Sequence, residues 1–155
     1  MAENYAPFYT SIQTSASGLS AERLAMDVIA NNIANVDTTQ TPGGGPFKRQ
    51  LVVFTQQVDQ QAKAQAAASG LNPENVGNLE GVSATQIISD PSPDRLVFDP
   101  GNPQADAQGY VHYPNIQIIK EMVDMMAAQR AYEANVSAIK EARAMGNAVL
   151  GVLKA

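Results

Sequence analysis

The feature of this sequence that most limits its fold is a long helical pattern at its C-terminal end. Pro114 and Asn115 can start a helix, and apolar residues then recur in steps of three and four as far as residue 153. The positions predicted to pack are Ile118, Met122, Met125, Tyr132, Val136, Ile139 and Leu150. A helix of roughly 38 residues is about 57 Å long. Because this length exceeds the width of a domain of 155 residues, one copy of the chain cannot bury the whole helix.

A second helical pattern occupies the N-terminal end, from about Tyr5 to Val36. Its apolar residues recur every seven positions, which is typical of coiled-coil packing. The first seam position is filled by Ile12, Leu19, Met26 and Ile33, and the second by Ile29 and Val36. We therefore predict that residues 1–36 form one helix and residues 116–155 another. We also predict that the two helices pair as an antiparallel coiled coil.

The stretch between the helices, residues 37–115, has the pattern of a small β-rich insert. It opens with a loop that contains TPGGGP. Gln50 to Val58 and Gly81 to Asp90 are rich in β-branched residues and predict strands, and Arg95 to Phe98 predicts a third. Residues 60–70 are polar and low in complexity, which is compatible with a short helix or with a loop. The predicted fold class is therefore mainly α with a small β-rich insert.

Composition argues against several functional classes. The net charge is −5 and no basic cluster is longer than Lys48-Arg49, which argues against binding to nucleic acid or to an anionic membrane surface. The chain has no cysteine and a single histidine, His112, so we expect no metal site. The sequence shows neither a nucleophile beside a base nor paired carboxylates in an apolar setting. We therefore expect no enzymatic activity and no cofactor.

The N-terminus lacks the basic and apolar regions of a cleavable signal peptide. No run of about eighteen apolar residues is present, so we expect no transmembrane segment. The surplus apolar surface on the helices indicates a protein that works by assembly. A soluble helical adaptor or export chaperone, acting as a dimer, is the alternative from a different class.

Two segments resemble one known family, the bacterial flagellar rod, hook and hook-associated proteins. The N-terminal one is SASGLSAERLAMDVIANNIANVDTTQTPGGGPFKRQLVVF, and the C-terminal one is EMVDMMAAQRAYEANVSAIKEARAMGNAVLGVLK. The short middle region, with GYVHYPN, is similar to that of the proximal rod subunits. The residues that carry the N-terminal signature are Ser17, Gly18, Leu19, Ala30, Asn31, Asn32, Ile33, Ala34 and Asn35.

The resemblance implies a structural subunit of the proximal rod of the flagellar basal body. Such subunits polymerise through their terminal helices into the axial drive shaft that transmits torque from the motor to the hook. The implied partners are other copies of the chain, other rod proteins and the export-gate junction protein at the rod base. The resemblance also implies a periplasmic position, reached through the flagellar type III export apparatus without a cleaved signal peptide. Another rod position within the same family is a further alternative.

The motif ANNIAN places three asparagines in a predicted helix, where asparagine is a poor helix former. If Met26 and Ile33 occupy the first seam position, Asn31, Asn32 and Asn35 lie off the seam. We hypothesise that they form hydrogen bonds with neighbouring subunits and so fix the register of the polymer. The alternative is that they only help to end the helix near Val36.

Overall fold

The computed structural model describes residues 6–58 and 79–153 of the chain. These residues form two helices and four strands in the order α1, β1, β2, β3, β4, α2. Their bounds are Ala6–Ala34 for α1, Gln50–Val58 for β1, Leu79–Ser89 for β2, Arg95–Phe98 for β3, Tyr110–Tyr113 for β4 and Ile118–Leu153 for α2. No described helix is both long enough and apolar enough to cross a membrane. The prediction for residues 60–70 lies outside the described residues.

The strands form two separate sheets, each with two strands. β1 pairs with β2, and β3 pairs with β4. In the second sheet the pairing is antiparallel, with Leu96 opposite His112 and Phe98 opposite Tyr110. The bounds predicted for β1 and β3 match the structure, and β2 begins two residues before its predicted start. Local β-branched and aromatic sequence is thus sufficient to locate these strands.

The predicted fold class is wrong. The described residues combine two long helices with two small antiparallel sheets, and they do not show the predicted antiparallel coiled coil. On α1 the buried side chains are Ala21, Val28 and Asn32, whereas Leu19 and Met26 are only half-buried. Ala21 and Val28 lie two residues after the predicted seam positions Leu19 and Met26, and Asn32 lies between Ile29 and Ile33. The role of the predicted positions in packing and assembly stays a prediction.

On α2 the buried side chains are Glu121, Ala128 and Ala142. Ile118 and Met122, which were predicted to pack, are 46% and 54% exposed. The other predicted packing positions with described side chains are half-buried: Ile12, Leu19, Met26, Ile29, Ile33, Val36, Met125, Tyr132, Val136 and Ile139. The side chain of Leu150 lies outside the described residues.

In unit 1, α1 and α2 approach closely at Gly18. A Cβ atom added at Gly18 would lie 2.8 Å from Nδ2 of Asn135 on α2, so the Asn135 side chain would have to shift. Glycine at residue 18 leaves room for this side chain.

The chain divides into two compact units, and we describe each by itself. Unit 1 contains the described residues within Met1–Arg23, Phe54–Thr85 and Gln129–Ala155, and unit 2 contains Leu24–Val53 and Gln86–Ala128. The domain boundaries predicted from the sequence, after residues 36 and 115, stay a prediction.

Unit 1 contains a tight contact between α1 and β2. The hydroxyl of Ser17 donates a hydrogen bond to the carbonyl of Thr14 at 2.7 Å and accepts one from the N–H of Val82 at 3.0 Å. Gly81 passes directly over Ser17 with φ of 111°, and a Cβ atom at residue 81 would overlap the Ser17 hydroxyl. Only glycine combines this backbone conformation with this close approach.

We predict that Gly81→Ala lowers the free energy of unfolding by about 1–3 kcal/mol, because it adds both backbone strain and a clash with Ser17. Urea denaturation followed by circular dichroism measures this change. Gly43→Ala is the matched control, since its added Cβ would meet only Thr41 Oγ1 at 3.9 Å and its φ is not positive. If the two variants lost the same free energy of unfolding, the close contact between Gly81 and Ser17 would not be important for stability.

Candidate functional site

The three asparagines of ANNIAN, which the sequence analysis singled out, differ strongly in their surroundings. Asn32 is 1% exposed, whereas Asn31 is exposed and Asn35 is half-buried. Asn31 and Asn32 lie in the last turn of α1 in unit 2, and Asn35 directly follows the helix. Asn32 was expected to lie off the packing seam, and it is instead among the most buried side chains described. The candidate site is the group of polar residues around it.

The amide of Asn32 binds the backbone of Gln50, the first residue of β1. The N–H of Gln50 donates to Asn32 Oδ1 at 2.8 Å, and Asn32 Nδ2 donates to the carbonyl of Gln50 at 2.9 Å. A side-chain amide that bonds both groups of one residue satisfies the backbone as a neighbouring strand would. Asn32 therefore fixes the start of β1 against the end of α1.

Glu121 provides the third side of the site. It lies in the first turn of α2 and is fully buried, with 0% exposure. Asn32 Nδ2 donates to its Oε2 at 3.1 Å, and Arg49 Nε donates to its Oε1 at 2.6 Å. A negative charge in the first turn is also favoured by the helix dipole. Each carboxylate oxygen of this buried group thus has a described partner.

Arg49 connects Glu121 to two further carboxylates. Its NH2 lies 3.5 Å from Asp124 Oδ2, and its NH1 lies 3.7 Å from Asp90 Oδ2. Asp90 also donates its backbone N–H to the carbonyl of Arg49 at 2.8 Å. The pKa of Asp90 is lowered, first by hydrogen bonds from Ser92 and then by Arg49, so its carboxylate is ionised at neutral pH. One guanidinium thereby holds the end of β2 and the start of α2 beside β1.

Asn31 and Asn35 make contacts that remain at the surface. Asn31 Nδ2 donates to the side-chain Oε1 of Gln50 at 3.0 Å. Asn35 Nδ2 donates to the carbonyl of Asn31 at 2.9 Å, and Thr38 Oγ1 donates to Asn35 Oδ1 at 3.1 Å. These local bonds satisfy backbone and side-chain groups where the helix ends. The hypothesis that the asparagines contact neighbouring subunits stays a prediction.

The other signature residues lie outside this network. Ser17 and Gly18 form the close contacts of unit 1, Leu19 and Ile33 are half-buried, and Ala30 and Ala34 are exposed. Neither Arg49 nor Glu121 was predicted as a site residue from the sequence. A signal was available for Glu121, since a carboxylate within an apolar helical pattern requires a buried partner. No comparable signal identifies Gln50, because its role belongs to its backbone.

His112 lies in a second polar group of unit 2, on β4. Its Nδ1 is 3.8 Å from Asp94 Oδ2, and its Nε2 is 3.6 Å from Asp106 Oδ2. The pKa of Asp106 is lowered, chiefly because the backbone N–H of Tyr110 donates to its carboxylate, with further contributions from Gln108 and His112. Among the described residues, no group of three or more His, Cys, Asp or Glu side chains has an arrangement that could hold a metal ion.

The chemistry of the Asn32 site is that of a structural connection. Among the described residues, no buried side-chain nitrogen or oxygen lacks a hydrogen-bond partner. A fully satisfied polar network rigidifies and specifies one arrangement of the segments it joins. We therefore interpret the site as a connection between α1, β1 and α2.

We predict that Asn32→Ala lowers the free energy of unfolding by about 2–4 kcal/mol, because it removes the partner of the half-buried N–H and carbonyl of Gln50 and one partner of the buried Glu121 carboxylate. The matched control is Asn31→Ala, the same substitution one residue earlier at an exposed position, which should cost less than about 1 kcal/mol. Both variants gain the same helix propensity, so their difference reports the buried network. Similar losses in urea denaturation would show that burial of Asn32 is unimportant.

A double-mutant cycle tests the ion pair between Arg49 and Glu121. Arg49→Met alone should cost about 3–5 kcal/mol, because it leaves the buried Glu121 without its cation. Adding Glu121→Met should recover at least about 2 kcal/mol of that loss, since the uncompensated charge is removed. The measurement is urea denaturation of the two single variants and the double variant. Simple addition of the two single losses would contradict the pairing.

Comparison with known protein families matches both ends of the chain. The family model described as "Flagella basal body rod protein" matches residues 12–40, and "Flagellar basal body rod FlgEFG protein C-terminal" matches residues 107–151. The first range contains Asn32, and the second contains Glu121. Asn32 and Glu121 therefore lie in different matched regions, whereas Arg49 and Gln50 lie between the two regions.

Curated relatives cover nearly the whole chain. The flagellar basal-body rod protein FlgC of Borreliella burgdorferi is 39% identical over 150 residues, which are 94% of this chain and 97% of that protein. FlgC of Bacillus subtilis is 39% identical over 88% of this chain and 92% of its own length. FlgC of Yersinia enterocolitica is 42% identical over 83% of this chain and 85% of its own length. With this identity over most of its length, the chain belongs to the FlgC family of flagellar basal-body rod proteins.

Proposed function

We propose that this chain polymerises through its terminal helices into the axial drive shaft that transmits torque from the flagellar motor to the hook. As a member of the FlgC family, it is a structural subunit of the proximal rod of the basal body and assembles with other rod proteins. Polymerisation through the terminal helices and transmission of torque are the parts that we propose.

The observation that carries the proposal is the apolar surface of α2. Ile119 is 81% exposed, Met122 and Val123 are each 54% exposed, and Met145 is 53% exposed. Large apolar side chains at this exposure are costly in water unless a partner covers them. An axial polymer supplies such a partner to every copy. Its interfaces join different surfaces of successive subunits and need not close into a ring.

We also propose that the chain reaches the periplasm through the flagellar type III export apparatus without a cleaved signal, and that it meets the export-gate junction protein at the rod base. The family resemblance supports both points. We infer that the chain catalyses no reaction, because its relatives are named as rod proteins. Membership of the FlgC family favours this role over that of a soluble adaptor or export chaperone.

The test is mass spectrometry of detergent-stripped hook–basal bodies from cells that express the wild-type chain or Met145→Glu. The wild-type chain should be recovered in several copies per particle. Met145→Glu should be depleted, because a charge then replaces an exposed apolar side chain on α2. Lys140→Glu is the control, since it changes an exposed position on the same helix that is already polar. Recovery of the wild-type chain only from the cytosol, beside intact basal bodies, would favour the adaptor.

A further inference from the structure

The two faces of the β3–β4 hairpin of unit 2 differ. On one face Val111 is 1% exposed, although Val97 opposite it is 39% exposed. Opposite residues in an antiparallel pair share a face. The register therefore places Leu96, Phe98, Tyr110 and His112 together on the other face. We call this set the hairpin face.

The hairpin face is both apolar and open to solvent. Leu96 is 55% exposed, Phe98 63% and Tyr110 40%. The rings of Phe98 and Tyr110 pack edge to face with centroids 5.3 Å apart, so they form one preformed aromatic surface. Such a surface loses little side-chain entropy on binding.

Three carboxylates near the hairpin face form an acidic rim, in which Asp94 is already paired with Lys48. Asp94 precedes β3, Asp99 follows Phe98, and Asp106 lies in the turn that leads to β4. Asp94 and Asp106 lie on either side of His112, and the hydrogen bond from Tyr110 helps to keep Asp106 ionised by lowering its pKa. Within the described part of the chain, Asp99 makes no ion pair. A partner for this face should therefore be apolar in its centre and basic beside it.

The first turns of α2 in unit 2 present a surface of that kind. Ile119, Met122, Val123 and Met126 follow helical spacing and are each more than half exposed, at 81%, 54%, 54% and 51%. We call this set the α2 stripe. Lys120 borders it and is exposed, and no carboxylate of the described residues forms an ion pair with it. The α2 stripe and the hairpin face are thus complementary in both hydrophobicity and charge.

We propose that the hairpin face of one copy packs on the α2 stripe of the next copy, with Asp99 near Lys120. This inference rests on the proposed polymer and identifies one of its interfaces. Each copy carries one surface of each kind, so the contact is head to tail and propagates instead of closing a two-fold dimer. The acidic rim favours contact with the α2 stripe over contact with a second hairpin face, because two hairpin faces would bring like charges together.

Cysteine cross-linking tests the contact. Because the wild-type chain has no cysteine, the introduced residues are the only thiols that this chain contributes. Basal bodies are prepared from cells that carry the double variant Phe98→Cys with Met122→Cys and are then oxidised. The expected product is a ladder of dimers and larger oligomers of this chain. Each single variant should give no ladder. The matched control pair is Phe98→Cys with Met145→Cys, which should also remain uncross-linked.

The other outcomes are distinguishable. A dimer from Phe98→Cys alone would overturn the head-to-tail contact, because it requires two hairpin faces to meet. A product with the mass of a different rod protein would overturn the assignment of a second copy. If the chain is present in basal bodies but the double variant gives no ladder, this inference fails and the proposed function stands. If the chain is absent from basal bodies, the proposed function itself fails.

Charge exchange tests the orientation in the same double-cysteine background. Asp99→Lys and Lys120→Asp should each reduce the ladder roughly two- to fivefold, which is the scale of an exposed ion pair. Combining the two substitutions should restore it, since the opposite charges then face each other again. Failure of the combination to restore the ladder would overturn the proximity of Asp99 and Lys120.

Discussion

The buried carboxylate of Glu121 is the constraint on which the arrangement of unit 2 depends. A charge removed from water is tolerated only with a cation and hydrogen bonds around it, and Arg49 and Asn32 supply both. Arg49 lies 72 residues before Glu121 in the sequence, and Asn32 lies 89 residues before it. The end of α1, the start of β1 and the start of α2 therefore meet around this carboxylate, and both of its oxygens have partners.

The positions of the helices and strands could be predicted from the sequence better than which of their side chains are buried. β1 and β3 were located correctly because their β-branched and aromatic residues form local patterns. The most buried positions of α1 were not identified, because the heptad rule follows hydrophobicity, and Leu19 and Met26 are more hydrophobic than Ala21. Contacts between distant residues, such as Asn135 beside Gly18, also limit which side chains fit, and no single stretch of sequence records them.

In the candidate site, too, the sequence indicates unusual residues but not their tertiary contacts. The motif ANNIAN marked three asparagines as unusual, but only the tertiary partners distinguish Asn32 from Asn31, its immediate neighbour. Gln50 takes part through its backbone, so its side chain gives no indication of its role. The folded chain buries polar groups and leaves Ile119 and Phe98 exposed. That distribution is expected when polar contacts define the subunit and apolar contacts join it to others.

The central claim is that the buried network joins α1, β1 and α2 into one cooperative unit, and hydrogen exchange at the backbone amide of Gln50 tests it most directly. This N–H donates to Asn32 Oδ1 at 2.8 Å. The measurement is native-state exchange of the purified chain at increasing urea, with the amides of α2 around Ala128 as the reference. If the network joins the segments, the amide of Gln50 exchanges slowly and opens together with those of α2. Rapid exchange at Gln50, while the α2 amides stay protected, would contradict the claim.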